Sequence, residues 1–166
     1  MRTSLAGNSH PRAGVTLLEM LIVLTLISLM AGISYPSLSA GIESLRLNQA
    51  CEETAALLNS SLARSSRRQQ AVEIIISRQD NLIAALSEDG GLNRRVPLPG
   101  GVTIAAILPP IPADEMIPRR FLILPGSAPP RIGILFNNAR GDRRALRLDP
   151  ITGVPQIERL DRDQQP

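Results

Sequence analysis

The chain has 166 residues, a length that suits one globular domain with an appended segment, and its formal charge is +3 at neutral pH. Only three residues are aromatic, so the core must be built from aliphatic side chains, and few rings are available to stack on nucleic-acid bases. The basic residues are all arginines and are dispersed among acids, which argues against nucleic acid as a partner.

The chain lacks most of the side chains used in catalysis. Cys51 is the only cysteine, which excludes an intramolecular disulfide and a thiolate metal cluster. His10 is the only histidine and precedes the first apolar run, so a chain cut there has no imidazole for nucleophilic catalysis or zinc binding. We therefore predict that the protein is not an enzyme and has no cofactor. We interpret Cys51 as a small buried apolar residue rather than a reactive thiol.

The first element is an apolar run from Val15 to Ile33 that contains one ionisable group, Glu19. As a helix, this run spans about 28 Å, close to the ~30 Å hydrocarbon core of a bilayer. Arg2 and Arg12 precede the run and no acid does. This charge bias predicts that the amino end stays in the cytoplasm and that the rest of the chain is exported.

Two ordinary interpretations of this run remain open on residue chemistry alone. A secretory signal would be cut after Ser39, although the run is longer than the usual core of about 7–15 residues and carries a carboxylate. A plain membrane anchor tolerates Glu19, because a carboxylate about 6 Å below the start of the run can reach the interface. A secreted or membrane-tethered binding domain would fit either interpretation.

Residues 13–24, AGVTLLEMLIVL, resemble the class III signal of type IV pilins and type II secretion pseudopilins. The resemblance implies that a prepilin peptidase cuts between Gly14 and Val15 and that the new amine of Val15 is N-methylated. Val15 stands where the family usually has phenylalanine. The resemblance also implies that Glu19 is the family's glutamate. We hypothesise that it pairs with the terminal amine of a neighbouring subunit and so fixes register during assembly.

Beyond the apolar run, the pattern predicts that the helix continues to about Gln69. We divide it into a transmembrane part over 15–35 and an amphipathic part over 36–70, with Pro36 kinking the helix between them. Apolar residues recur at helical spacing and are expected to face the following domain: Leu38, Ile42, Leu45, Ala55, Leu58 and Leu62.

Residues 71–160 carry strand signals separated by glycine, proline and asparagine clusters, and 161–166 is expected to be a disordered tail. A long amino-terminal helix packed on a carboxy-terminal antiparallel β-sheet domain is an α+β, pilin-like fold. The predicted strands are 71–77, 82–86, 102–107, 121–124, 132–136, 145–148 and 154–159.

Residues 62–68 and 135–153 resemble, more loosely, the H-type minor pseudopilins and related minor pilins. This resemblance implies a structural subunit of the type II secretion system, with a leader over 1–14, an inner-membrane helix and a periplasmic domain that joins the pseudopilus tip. The implied partners are other minor and major pseudopilins, the prepilin peptidase, the inner-membrane assembly platform and the membrane. A minor pilin of a type IV pilus or DNA-uptake apparatus is the alternative.

Several short motifs have simpler explanations. Arg140-Gly141-Asp142 spells an adhesion tripeptide but fits a polar turn, and Gly90-Gly91 lacks the residues of a phosphate loop. Adjacent acids, as in Glu52-Glu53, are interpreted as solvated charges rather than metal ligands. A cluster of arginines either ends the helix in solvent, the commoner case, or binds a neighbouring subunit or lipid headgroups: Arg64, Arg67 and Arg68.

Overall fold

A computed structural model describes residues 16–111 and 117–160, the side chains of residues 34–39 excepted. The chain divides into two compact units, Met1–Leu38 and Ser39–Pro166. The predicted leader over 1–14 and the predicted tail over 161–166 lie outside the described residues. The architecture is the expected pilin-like α+β fold, a long amino-terminal helix packed against antiparallel sheets.

The helix, α1, runs from Leu17 to Arg68 and supplies residues to both units. Its observed end agrees with the predicted end near Gln69. Gln69 adopts φ 53°, a left-handed conformation that stops the hydrogen-bond ladder just after the last helical residue. The helix continues through Pro36. The kink proposed at that residue stays a prediction.

In the part of the chain that the structure describes, eight strands follow the helix, and seven of them were predicted from the sequence. The eighth, over 93–97, was not predicted, because only Val96 of its five residues is buried and its arginines are typical of loops. The strands are β1 Val72–Ser77, β2 Leu82–Ser87, β3 Asn93–Pro97, β4 Val102–Leu108, β5 Arg119–Ile123, β6 Gly133–Asn138, β7 Arg143–Leu148 and β8 Pro155–Leu160.

The strands described form two four-stranded antiparallel sheets. The first sheet has the order β3-β2-β1-β5 and the second has the order β4-β6-β7-β8. β5 follows β4 in the chain but pairs with β1, with Ile74 opposite Phe121. Both sheets bury one face against the part of α1 that belongs to the second unit. Phe136, Ile74 and Leu57 are fully buried in this shared core.

The buried stripe of α1 agrees with the predicted one only in part. Leu58 is buried, and Ala55 and Leu62 pack against the core, as predicted, whereas the side chain of Leu38 lies outside the described residues. Ile42 and Leu45 were expected to face the domain, but they are 47% and 66% exposed. The buried stripe instead includes small hydroxyl residues, because Thr54 and Ser61 donate to carbonyls one turn back, at 2.7 Å each, and therefore need no water. The buried helix residues are Leu47, Ala50, Cys51, Thr54, Leu57, Leu58, Ser61 and Ser65.

The Arg140-Gly141-Asp142 tripeptide forms the turn between β6 and β7, as the polar-turn interpretation predicted. The Asn138 side-chain oxygen accepts hydrogen bonds from the backbone N–H groups of Arg140 (3.1 Å) and Asp142 (2.9 Å). Gly141 adopts φ 84°, a conformation that favours glycine. The motif is thus part of the hairpin's own hydrogen bonding.

Candidate functional site: the amino-terminal helix segment

The first turn of α1 is capped by Thr16. The backbone N–H of Glu19 donates to the Thr16 hydroxyl oxygen at 3.2 Å, and the N–H groups of Glu19 and Met20 donate to the Thr16 carbonyl. Thr16 and Glu19 have the Thr-x-x-Glu spacing of a capping box. The sequence prediction did not assign Thr16 a role, although this spacing signals a helix start. Gly14 and Val15, the predicted cleavage site, lie outside the described residues.

Glu19 lies in the first turn of the helix and is exposed. A carboxylate at this end of a helix interacts favourably with the helix dipole. It is also the only ionisable residue between Leu17 and Ile33. The geometry therefore gives Glu19 a local role at the helix start and leaves its carboxylate accessible to another group.

The helix segment Leu17–Ile33, which contains Glu19, presents apolar side chains on all sides. Leu17 is 83% exposed and Met30 is 70% exposed. A contiguous exposed apolar surface of this kind marks a site of protein or membrane contact. Among the residues that the structure describes, no helix is both long and apolar enough to cross a membrane.

The two hydroxyl groups in the centre of this segment are satisfied within the helix. Thr25 donates to the Leu21 carbonyl at 2.7 Å, and Ser28 donates to the Leu24 carbonyl at 2.8 Å. These back-bonds remove the cost of placing a hydroxyl in an apolar environment. From Met20 to Ile33 the segment can therefore be covered by apolar groups without leaving a side-chain donor unpaired.

The three arginines at the other end of α1 differ in their contacts. Arg64 pairs with Asp89 in the β2–β3 turn, with 3.4 Å between the Arg64 Nη2 and Asp89 Oδ2 atoms. Arg67 and Arg68 lie exposed in the last helical turn, where a positive charge complements the helix dipole. Arg64 thus fixes the helix end to the first sheet, while the other two form the solvated end predicted from the sequence.

Asp89 belongs to the adjacent acids Glu88-Asp89 and holds the β2–β3 turn together. Its Oδ1 atom accepts hydrogen bonds from the Ser87 hydroxyl and from the Gly91 N–H. These bonds, the Ser87 bond foremost, lower the pKa of Asp89 to about 2. The carboxylate is thus engaged in stabilising a turn.

The thiol of Cys51 is buried in the core, as predicted. Burial raises its pKa to about 11, because the thiolate would lose its hydration there. At neutral pH the group stays protonated and out of reach of solvent. Cys51 therefore acts as a core residue and not as a nucleophile.

Residues 9–35 match the family model described as the prokaryotic N-terminal methylation motif. No curated protein matches the chain, and no solved structure matches it. The matched range contains Gly14, Val15 and Glu19, the residues that carried the resemblance. The motif occurs in the type IV pilin and pseudopilin family, whose members are typically structural proteins that are anchored in the inner membrane, processed by a prepilin peptidase and assembled with other subunits.

Proposed function

We propose that the protein is a minor pseudopilin of the H type, a structural subunit of a type II secretion system. The observation that carries this proposal is the methylation motif over residues 9–35, which coincides with an exposed apolar helix containing a single carboxylate. The looser likeness of residues 62–68 and 135–153 is to H-type minor pseudopilins and related minor pilins, so a minor pilin of a type IV pilus or DNA-uptake apparatus is the alternative.

In this proposal, the prepilin peptidase cuts between Gly14 and Val15 on the cytoplasmic face, and the amine of Val15 is then methylated. The helix holds the subunit in the inner membrane, with the domain beyond it in the periplasm. The internally satisfied hydroxyls of Thr25 and Ser28 favour this placement, because they present no free donor to lipid.

During assembly, lipid contacts of the apolar segment are exchanged for contacts with helices of neighbouring pseudopilins on the inner-membrane platform. Glu19 then faces the cationic amine of a neighbour in a setting of low dielectric constant. An unpaired charge is costly there, so only the register that pairs Glu19 with the amine is favoured. Pro36 kinks the helix where it leaves the apolar segment, and the subunit takes a place at the tip.

The test is deletion of the gene in the source bacterium, followed by complementation with plasmid-borne variants. The intact gene is expected to restore export of secreted enzymes, whereas Gly14→Val and Glu19→Leu are expected not to. Glu158→Gln, a change to an exposed acid on β8, is the matched control and should restore export. Loss of surface pili with normal enzyme export would contradict the proposal and indicate the minor-pilin alternative.

A further inference from the structure

The solvent side of α1 changes in character along the second unit. In the first two turns it is apolar and basic, with Ile42 47% exposed, Leu45 66% exposed and Arg46 also exposed. At about 100° per residue, these three side chains fall within an arc of roughly 100° around the helix. Gln49 and Glu53 follow on the same side, where Gln49 Nε2 donates to Glu53 Oε1 at 2.9 Å. The exposed apolar surface is therefore confined to the end of the helix at which the unit begins.

Two turns of the sheets lie beside this end of the helix. Arg46 Nη1 donates to the backbone carbonyl of Gly100, in the β3–β4 turn, at 3.3 Å. Arg140, in the β6–β7 turn, pairs with Glu43, with 3.4 Å between the Arg140 Nε and Glu43 Oε2 atoms. Both arginines are nevertheless exposed to solvent. We call the surface formed by these exposed apolar and basic side chains the basal face: Ile42, Leu45, Arg46 and Arg140.

The charge that the basal face offers to a partner is positive. The nearby acids are engaged within the unit, since Glu43 pairs with Arg140 and the Asp142 carboxylate accepts a hydrogen bond from the Asn138 amide at 2.9 Å. Arg46 bonds to a neutral carbonyl, and among the residues that the structure describes it has no ion-pair partner. The surface that covers the basal face is therefore expected to be apolar and anionic.

The place of the basal face in the chain indicates what covers it. The second unit begins at Ser39, directly after the unit that contains the apolar segment Leu17–Ile33. Members of the family are anchored in the inner membrane, so the residues that follow the apolar segment are within reach of the lipid headgroups. Apolar side chains beside basic ones are stabilised there by the acyl boundary and by anionic headgroups. A partner helix lying along α1 would instead need an apolar stripe that continues where Gln49 and Glu53 lie.

We propose that the basal face of the unassembled subunit lies on the membrane surface. Ile42 and Leu45 enter the boundary between headgroups and acyl chains, and Arg46 lies beside anionic headgroups. The contact holds the second unit against the bilayer in one orientation until the subunit is extracted. The inference rests on the membrane anchor of the proposed function and goes beyond it, because anchoring through the apolar segment does not require the second unit to touch lipid.

The test uses tryptophan as a reporter, because the chain has none of its own. The full chain with Leu45→Trp is reconstituted in vesicles of equal parts phosphatidylethanolamine and phosphatidylglycerol, with and without spin-labelled lipid. We expect its emission to shift to shorter wavelength and to lose most of its intensity to the spin label. Leu122→Trp is the matched control, since Leu122 is 55% exposed but lies on β5, outside the basal face, and should stay unquenched. Equal quenching of both tryptophans, or of neither, would overturn the proposal.

Charge variants test the role of Arg46. In the Leu45→Trp background, Arg46→Gln is expected to shift the equilibrium about fivefold toward the undocked state, the effect of one basic residue near an anionic surface. Arg46→Lys keeps the charge and should restore docking, which it would not do if only the bond to Gly100 mattered. Arg95→Gln, a change to an exposed arginine on β3, is the control and should have no effect. An equal effect of Arg46→Gln in vesicles of phosphatidylcholine, which carry no net charge, would contradict the pairing with anionic headgroups.

Vesicle flotation separates this inference from the proposed function. A chain that floats with the vesicles while Leu45→Trp stays unquenched would overturn the basal contact and leave the membrane anchor intact. A chain that does not float would contradict both. A shift of the Leu45→Trp emission to shorter wavelength without quenching by spin-labelled lipid would show that protein covers the basal face, which would also overturn the proposal.

Discussion

The segment Leu17–Ile33 and the unit Ser39–Pro166 both carry apolar side chains that must be kept from water, and they do so in opposite ways. The second unit folds its apolar side chains into a core of its own, from Leu47 on the helix to Leu148 on β7. The first segment satisfies its backbone and hydroxyl groups internally and leaves its apolar surface outside. The first segment therefore needs an external apolar environment, and the second unit does not.

The largest effect is expected from opening the core of the second unit. Phe136 is fully buried in it, so Phe136→Ala should lower the free energy of unfolding by about 3–5 kcal/mol. Leu26→Ala in the apolar segment is the matched control, since Leu26 is 55% exposed and the unfolding of the second unit should not change. Urea unfolding followed by pulsed alkylation of Cys51 measures both. Equal effects of the two changes would erase the distinction between the regions.

The next largest difference between the two regions is expected in the reactivity of a thiol placed in each. With its pKa raised to about 11, the buried Cys51 should react with iodoacetamide at neutral pH about 100-fold or more slowly than an ordinary thiol. A thiol introduced as Leu26→Cys should react at the rate of an accessible group in the absence of lipid or detergent. Mass spectrometry of the labelled chain gives both rates. Rapid native labelling of Cys51 would mean that the core of the second unit is open.

Glu19→Leu is expected to reduce assembly at least tenfold, because the amine of the neighbouring subunit would be left unpaired. The same change should leave the unfolding of the second unit unaltered. Pseudopilin overexpression followed by quantification of sheared filaments measures the effect, with Glu158→Gln as the matched charge-removing control. Wild-type levels of filament from Glu19→Leu would refute the register role.

Smaller effects are expected at the glycines of the second unit. Gly153 and Gly141 adopt φ 72° and 84°, so alanine at either position should cost about 1–2 kcal/mol. A Cβ at Gly153 would also lie 3.2 Å from Pro129 Cγ, whereas Gly141 faces open space, so Gly153→Ala should cost more. Gly41→Ala, in the helix and unobstructed, should instead stabilise. Thermal unfolding ranks the three, and any other order would contradict these assignments.

The smallest effect is expected on stability at acidic pH. The pKa of Asp89 is lowered to about 2 in the folded chain, against about 3.9 in an unfolded one. The folded state therefore binds this proton less readily, so the stabilisation is present above pH ~4 and is lost as the pH falls through about 2. The melting temperature of Asp89→Asn should lie below that of the wild type at pH 7, and the gap should close near pH 2. If the difference in melting temperature grew as the pH was lowered, the assigned direction of the Asp89 pKa shift would be wrong.

Local patterns predicted the elements better than their arrangement. The β-branched run at Ile74-Ile75-Ile76 and the uninterrupted helix pattern could be read directly from the sequence. β3 was missed because an edge strand needs only one buried residue, here Val96. The pairing of β5 with β1 could not be predicted, since a register between strands far apart in the chain leaves no local signal.

At the candidate site, the spacing between Gly14 and Glu19 was enough to predict the cleavage motif from the sequence. The helix cap at Thr16 was not predicted. The buried stripe of α1 was predicted only in part. Leu58 was expected to be buried and is, but Thr54, Ser61 and Ser65 count as polar in a periodicity search, although their hydroxyls bond to backbone carbonyls. Ile42 and Leu45 fall at the same helical spacing but are exposed, because an apolar spacing alone does not show which side of the helix the domain covers.

The most direct test of the account is the intact mass and amino-terminal sequence of the membrane-extracted protein, with and without a co-expressed prepilin peptidase. We predict a terminus at Val15 that appears only with the peptidase and gains the mass of one methyl group. A terminus at Ala40, or an uncut chain beside an active peptidase, would contradict it and indicate an exported or anchored binding domain instead.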